Sequence, residues 1–263
     1  MTRRMMCATR LAFPATELMF QRMLTSAVFA GAVAGLLAAL LHFAFVQELI
    51  LLGEQYETGA ITHFSSGSAA DDAVAAGTEH PHAEGAEAHE HASPGKVSGI
   101  QRNGLTVLFS VLVYVAYAML LVAGFGLAAM VGRRIGPQQG LLWGLAGFAA
   151  FQLAPAMGLA PELPGTIAAE LGARQVWWWS TAVATAAACG LLAYGRQVWA
   201  YALAGVLLAA PHVIGAPQPE AFFGVAPPEV AAAFAARVLG VGLVVWISLG
   251  WVAGHFWSKS EPA

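Results

Sequence analysis

Charge is what this chain has least of. Only 10% of its 263 residues are charged, where a soluble protein carries about a quarter. That shortage excludes a soluble globular domain, and with 58% hydrophobic residues and a positive mean hydropathy the chain is an integral membrane protein. The formal net charge is −3, with no basic stripe or patch, and no nucleic-acid partner is expected. Cysteine is nearly absent. Cys7 stands in a basic N-terminal stretch and Cys189 in an apolar run, so they form neither a disulfide framework nor a thiolate metal motif. A GxxxxGK[ST] loop is missing, and any transport would have to be driven by the membrane potential, an ion gradient or another subunit. HExxH, GxSxG and paired intramembrane Asp motifs are missing too, which argues against an intramembrane enzyme and calls for no resident cofactor.

What is there is a series of long apolar runs, each near the roughly 20 residues that cross a bilayer. Six qualify, at about residues 23–52, 105–131, 141–159, 177–194, 198–214 and 230–257. The expected fold is therefore all-α, a polytopic helical bundle of six transmembrane helices. Only Gly195, Arg196 and Gln197 separate the fourth run from the fifth; they are read as a tight hairpin, and one continuous helix there would lower the count to five. The domain reading is an N-terminal extension (1–18), a first transmembrane helix (19–52), an external loop (53–102) and a five-helix membrane bundle (103–263). The extension is either part of the natural protein or lies upstream of a start at Met19.

Arginine and lysine set the orientation. Arg3, Arg4, Arg10 and Arg22 precede the first run, Arg133 and Arg134 follow the second, Arg196 sits in the hairpin and Lys259 follows the last. Lys96, Arg102 and Arg174 lie on the alternate loops. Both termini are thereby expected in the cytoplasm. Trp177, Trp178 and Trp179 read as anchors at the external interface, and Phe256 with Trp257 as anchors at the internal one. Gly31 and Gly35 have the small-xxx-small spacing that lets membrane helices approach closely.

Composition changes completely between Gly53 and Arg102, where Gly, Ala, Ser, His and acids replace the leucines and no helical or strand period survives. This reads as disordered. Within it His63, His80, His82, His89 and His91 alternate with Asp71, Asp72, Glu79, Glu84, Glu87 and Glu90. Neutral imidazole is the commonest protein ligand for divalent transition metals, and carboxylates add oxygen donors. The HPH and HEH spacings suit loose capture by a flexible chain better than a fixed tetrahedral site. Without cysteine the loop points to Co, Ni, Zn or Cu(II); the competing reading is an incidental acidic linker.

The segment 140–179 concentrates the remaining polarity. From Leu141 to Ala154 its only polar side chain is Gln152, and Pro155 follows, with Glu162 beyond it. A proline break in a membrane helix is tolerated against other helices or beside a polar cavity. Two readings stand: a simple kink with Glu162 in solvent, or a break whose polar groups contact a transported ion. Pro211, His212 and Glu220 repeat the arrangement in the fifth run. His42 lies inside the first run, with Glu54 and Glu57 at its external end. Ionisable groups at bilayer depth default to a functional hypothesis, although a lone His such as His42 can equally hydrogen-bond a neighbouring helix.

The stretches MFQRMLTSAVFAGAVAGLLAALLHF, QELILLGEQYE, GLLWGLAGFAAFQLAPAMGLAPELPG, LGARQVWWWSTAVATAA and PHVIGAPQPE resemble the CbtA family of predicted cobalt transporter subunits. Members are usually described with five spans, one fewer than counted here. The resemblance implies cobalt uptake linked to cobalamin synthesis, with transported or transiently bound Co2+ and with Ni2+ or Zn2+ as alternatives. It also implies a small CbtB-type membrane subunit with a histidine-rich end, and residence in a bacterial inner membrane. Carried onto this chain, its motif positions are Glu54, Tyr56, Glu57, Pro155, Glu162, His212 and Glu220. The competing functions are an intramembrane enzyme and a non-transporting structural or metal-sensing subunit.

Overall fold

The computed structural model describes residues 15–62 and 99–259. Within them the chain is helical: α1 (Ala15–Leu41), a π turn (His42–Val46) and α2 (Gln47–Glu57) form one rod, followed by α3 (Gly99–Met130). A second rod joins α4 (Pro137–Phe148), another π turn (Ala149–Leu153) and the short α5 (Ala154–Ala156). Then come α6 (Leu171–Tyr194), α7 (Val198–Ile214) and α8 (Pro228–Lys259). In hydrocarbon every backbone N–H and C=O must be met within the segment, so uninterrupted apolar sequence has no alternative to helix. The first helix starts at Ala15.

Among the described residues four helical stretches are long and apolar enough to cross a membrane: Met23–Glu57, Gly99–Met130, Leu171–Tyr194 and Pro228–Lys259. The 17-residue α7 spans only about 25 Å at 1.5 Å per residue, and the rod 137–156 about 30 Å. The fourth and fifth runs are separate helices joined by a tight turn at 195–197, as expected.

Antiparallel pairs build the bundle. On α1, Gly31 and Gly35 lie directly on the α3 backbone, where an added Cβ would come within 2.7 Å of the Val115 nitrogen and 2.9 Å of the Val111 nitrogen. On the other side of the molecule Gly140 and Gly144 of α4 meet Gly250 and Gly254 of α8 in a seam that no side chain separates. Close approach of this kind is how membrane helices gain van der Waals energy where lipid offers no hydrophobic drive. Helix α8 also packs against α1 and so joins the two pairs, and Phe125, Val245, Trp246, Leu249 and Trp257 fill the centre. The α6–α7 hairpin leans against the second π turn and α5.

Several expectations are corrected here. Pro155 does not break its helix. The ladder widens into a π turn just before it, with the Ala154 N–H bonding to the Ala149 carbonyl, and the helix ends one residue after the proline, at Ala156. An i→i+5 turn relieves the clash a proline ring makes with an α-helical ladder. Pro211 likewise sits inside α7, one turn from its end. Trp177 and Trp257 are not interface anchors. They are 7% and 1% exposed, because Trp257 packs edge-on to Phe125 and the Trp177 indole N–H donates to the Pro211 carbonyl at 3.1 Å.

At the end of the bundle where α2, α5 and α7 finish, the connecting segments 157–170 and 215–227 lie across the helices. The Ile167 N–H donates to the Phe223 carbonyl at 3.0 Å, Thr166 and Gly224 form an antiparallel bridge, and Gln218 Nε2 donates to the Gly158 carbonyl at 3.3 Å. Gly165 turns with φ +77° where a side chain would meet Val225 and Glu57, a conformation that glycine adopts without steric penalty. Leu163 is buried with Val46, Leu49 and Phe234, fixing this layer to α2 and α8.

Candidate functional site

A cavity of about 500 Å³ opens at this end of the bundle. Its floor is made by Phe151 and Gln152 of the second π turn with Val238 and Leu239 of α8. One wall is the first two turns of α6, with Arg174, Gln175, Trp178 and Trp179, and the mouth carries Glu162. The π turn aims Gln152 toward α8, since its extra residue changes the angle at which side chains leave the rod. There the Gln152 Oε1 is buried with no hydrogen-bond partner, in space left by the missing side chain of Gly242.

Glu162 accepts a hydrogen bond from Arg174 Nη2 at 2.9 Å, the two side chains being 34% and 27% exposed. Helix α6 positions that arginine, and its own start is held by Glu170, whose carboxylate accepts from the Ala173 and Gly172 N–H groups at 2.6 and 2.7 Å. Those two backbone bonds hold the Glu170 carboxyl below its ordinary pKa, as expected for an anion at a helix N-terminus.

Of the residues singled out from sequence, Glu162 lines the cavity and His212 does not. His212 stands edge-on to Trp177, with ring centroids 6.0 Å apart, outside the cavity lining. Glu54 pairs with Arg102 at 3.3 Å, and below it Gln47 Nε2 donates to Asn103 Oδ1 at 3.2 Å. Glu57 is exposed beside Gly165, and Glu220 is exposed on the segment 215–227. His42 opens the first π turn on the far side of α8 and meets the ring of Phe43. His63, His80, His82, His89 and His91 lie outside the described residues. Among the described residues no group of three His, Cys, Asp or Glu side chains is placed to hold a metal ion.

Three polar participants escaped the sequence reading. Arg174 entered only as a loop charge that sets orientation and Gln175 not at all, and only their spacing from Glu162 could have hinted at a pairing. Arg237 is the third: from within α8 it donates to the Phe45 carbonyl of the first π turn at 3.0 Å, satisfying a backbone acceptor that the irregular ladder leaves available.

Charge is segregated between the two ends. Glu54, Glu57, Glu162, Glu170, Glu220 and Glu229 surround the cavity end against Arg102 and Arg174. The opposite end carries Arg133, Arg134, Arg196 and Lys259. A low-dielectric cleft rimmed by one sign of charge concentrates ions of the other.

Fold and site together define a multi-pass α-helical membrane protein with a cavity, largely apolar but carrying Glu162, Arg174, Gln152 and Gln175, at its acidic end. The chain belongs to the CbtA family, described as a probable cobalt transporter subunit, which it matches over residues 20–258. It is thus similar to proteins that work as one subunit of a transporter and so have a partner subunit. No curated protein and no solved structure matches it.

Proposed function

We propose that this chain is the membrane subunit of a cobalt uptake system in a bacterial inner membrane, and that cobalt enters through the cavity at Glu162. One observation carries the reading: a carboxylate at the mouth of a 500 Å³ cavity, at the acidic end of the bundle. With about 30 Å³ per water, that volume accommodates a divalent ion together with its hydration shell. The basic end belongs in the cytoplasm by the positive-inside rule, which puts both termini there and turns the cavity outward.

The histidines of the external loop, from His63 to His91, gather Co2+ loosely and raise its concentration near the mouth. Glu162 takes the ion first, and Gln152 is the next polar side chain inward, its Oε1 turned against Gly242 of α8. Inward movement is favoured by ~2.3 kcal/mol per charge per 100 mV, twice that for a divalent cation. A small CbtB-type subunit with a histidine-rich end is the proposed partner, and cobalamin synthesis the proposed use of the metal. Nickel and zinc share enough ligand chemistry to compete for the same oxygens and imidazoles.

The test is radioactive cobalt uptake into cells lacking other cobalt importers. Glu162→Gln is expected to abolish most uptake at normal expression, and His212→Ala to have a smaller effect because His212 lies off the cavity. Uptake unchanged by Glu162→Ala combined with His212→Ala, yet lost on deleting the chain, would assign it a structural role instead.

A further inference from the structure

We infer that Arg174 is a tethered competitor for the cation site at Glu162, so that an ion enters only by displacing the guanidinium. This rests on the reading of the cavity as the ion's entrance and adds a regulation of that same site. The pair is made through a single contact, Arg174 Nη2 to Glu162 Oε2 at 2.9 Å. Arginine binds a carboxylate most strongly through two parallel bonds, so a single bond leaves the pair easier to exchange. Both side chains are about one-third exposed, and water screens their attraction.

The released guanidinium has somewhere to go. Glu170 caps the start of α6 four residues before Arg174, its carboxylate fixed at the helix N-terminus by the Gly172 and Ala173 N–H groups, which leaves a second anion one turn from the arginine. Exchange is therefore a short swing of one side chain from Glu162 to Glu170, with no backbone movement. Selectivity follows from what can force it. A monovalent cation brings no more charge than the guanidinium it must replace and cannot match its directed hydrogen bond. A divalent transition metal brings twice the charge and coordinates carboxylate oxygen directly. Arg174 keeps the mouth closed to sodium and potassium, and the cavity stays uncharged overall until a divalent ion arrives.

The test titrates CoCl2 into the purified full-length protein in lipid nanodiscs and reads tryptophan fluorescence, because Trp178 and Trp179 line the cavity and bound Co2+ quenches nearby indoles. Binding to the external loop is common to every variant, so the differences between variants report the cavity. Arg174→Gln is expected to lower the half-quenching cobalt concentration about tenfold, and Arg174→Lys, which keeps the charge, to stay within about threefold of the unaltered protein. Potassium in excess competes with cobalt in Arg174→Gln and not in the unaltered protein. Glu162→Gln removes the cavity component with either residue at 174. Arg174→Met is the second neutral variant, and the same tighter binding is required of whichever of the two elutes as a single species. Unchanged or weaker binding there, with the component still dependent on Glu162, overturns the competition and leaves the cavity as the ion's entrance. Quenching indifferent to Glu162→Gln in every background overturns both.

Discussion

Replacing Gly242 by Ala should couple the packing of α8 to the floor of the cavity. A methyl group built at Gly242 lies 2.7 Å from both Cδ and Nε2 of Gln152 and closer still to Oε1, whereas carbon contacts are comfortable at about 3.5–4.0 Å. The amide must therefore retreat by about 1 Å, and with α8 behind it the direction left is toward the cavity it already lines. Overpacking of this kind costs typically ~1–3 kcal/mol, a factor of about 5–150 in the folding equilibrium. Reversible unfolding in mixed micelles measures that loss, and cobalt uptake reads the displaced amide as a lower maximal rate. The diagnostic is a double-mutant cycle. Gln152→Ala removes both the obstructed amide and a buried acceptor without a partner, so Gly242→Ala added to it should cost little. The coupling then expected is about 1–3 kcal/mol, within the range for residues in direct contact. A Gly242→Ala protein as stable as the unaltered one, or a loss that persists in the Gln152→Ala background, would refute this account of the floor.

Other perturbations probe the rest of the architecture. Gly250→Ala puts a methyl 2.7 Å from the Gly144 Cα; the obstacle is backbone, so α4 and α8 must part, and a loss of at least ~1–3 kcal/mol is expected in the same unfolding assay, while Gly205→Ala, which meets nothing within 4 Å, should be neutral. Glu170→Gln should remove a pH-dependent contribution: with its folded pKa held below the ordinary 4.5, Glu170 stabilises the protein above that value and the benefit fades as pH falls through the lowered one. The melting temperature of the unaltered protein should thus exceed that of Glu170→Gln by a constant margin from pH 6 to 8 (about neutral, where the carboxylate is fully ionised) and by a shrinking one in acid. Deleting residues 63–93 should raise the half-saturating cobalt concentration for uptake without lowering the maximal rate; loss of the maximal rate in a normally inserted protein would contradict capture by the loop.

Helix positions and helix pairing were legible in the sequence because each depends on local pattern. Apolar runs located the helices, Gly195, Arg196 and Gln197 marked the hairpin between α6 and α7, and the Gly31/Gly35 spacing named a seam that α1 does make with α3. The two π turns were not legible, since a single extra residue in a ladder leaves the composition unchanged. Pro155 drew attention to the right neighbourhood, and its ring lines the cavity together with Gln152, but the irregularity itself lies before the proline, at 149–153. Arg174 was obscured by its position. A charge in the first turn of a membrane helix normally lies in the headgroup region, and only the return of the chain through residues 157–170 brings Glu162 over it. The same return buries Trp177, whose indole finds a carbonyl inside the protein instead of the interface that three adjacent tryptophans imply.

Helix α8 ties these irregularities together. The first π turn presents its Phe45 carbonyl to Arg237, and the second presents Gln152 to Gly242, barely more than one turn further along the same helix. Val238 and Leu239, which lie between those two contacts, are the α8 residues that line the cavity. A rotation of α8 large enough to turn them away would have to break the Arg237 bond and drive a side chain into Gln152 together. The wall is thereby held in register from both sides, by a charge-assisted hydrogen bond and by the close fit of an amide against a glycine. Arg237→Ala should accordingly loosen the cavity as well as the first π turn. Cobalt uptake is expected to fall although Arg237 is absent from the cavity lining, and Arg237→Lys, which can still donate to Phe45, should recover part of it. Full uptake in Arg237→Ala would show that the seam between α4 and α8 fixes the register of the wall without help from the first rod.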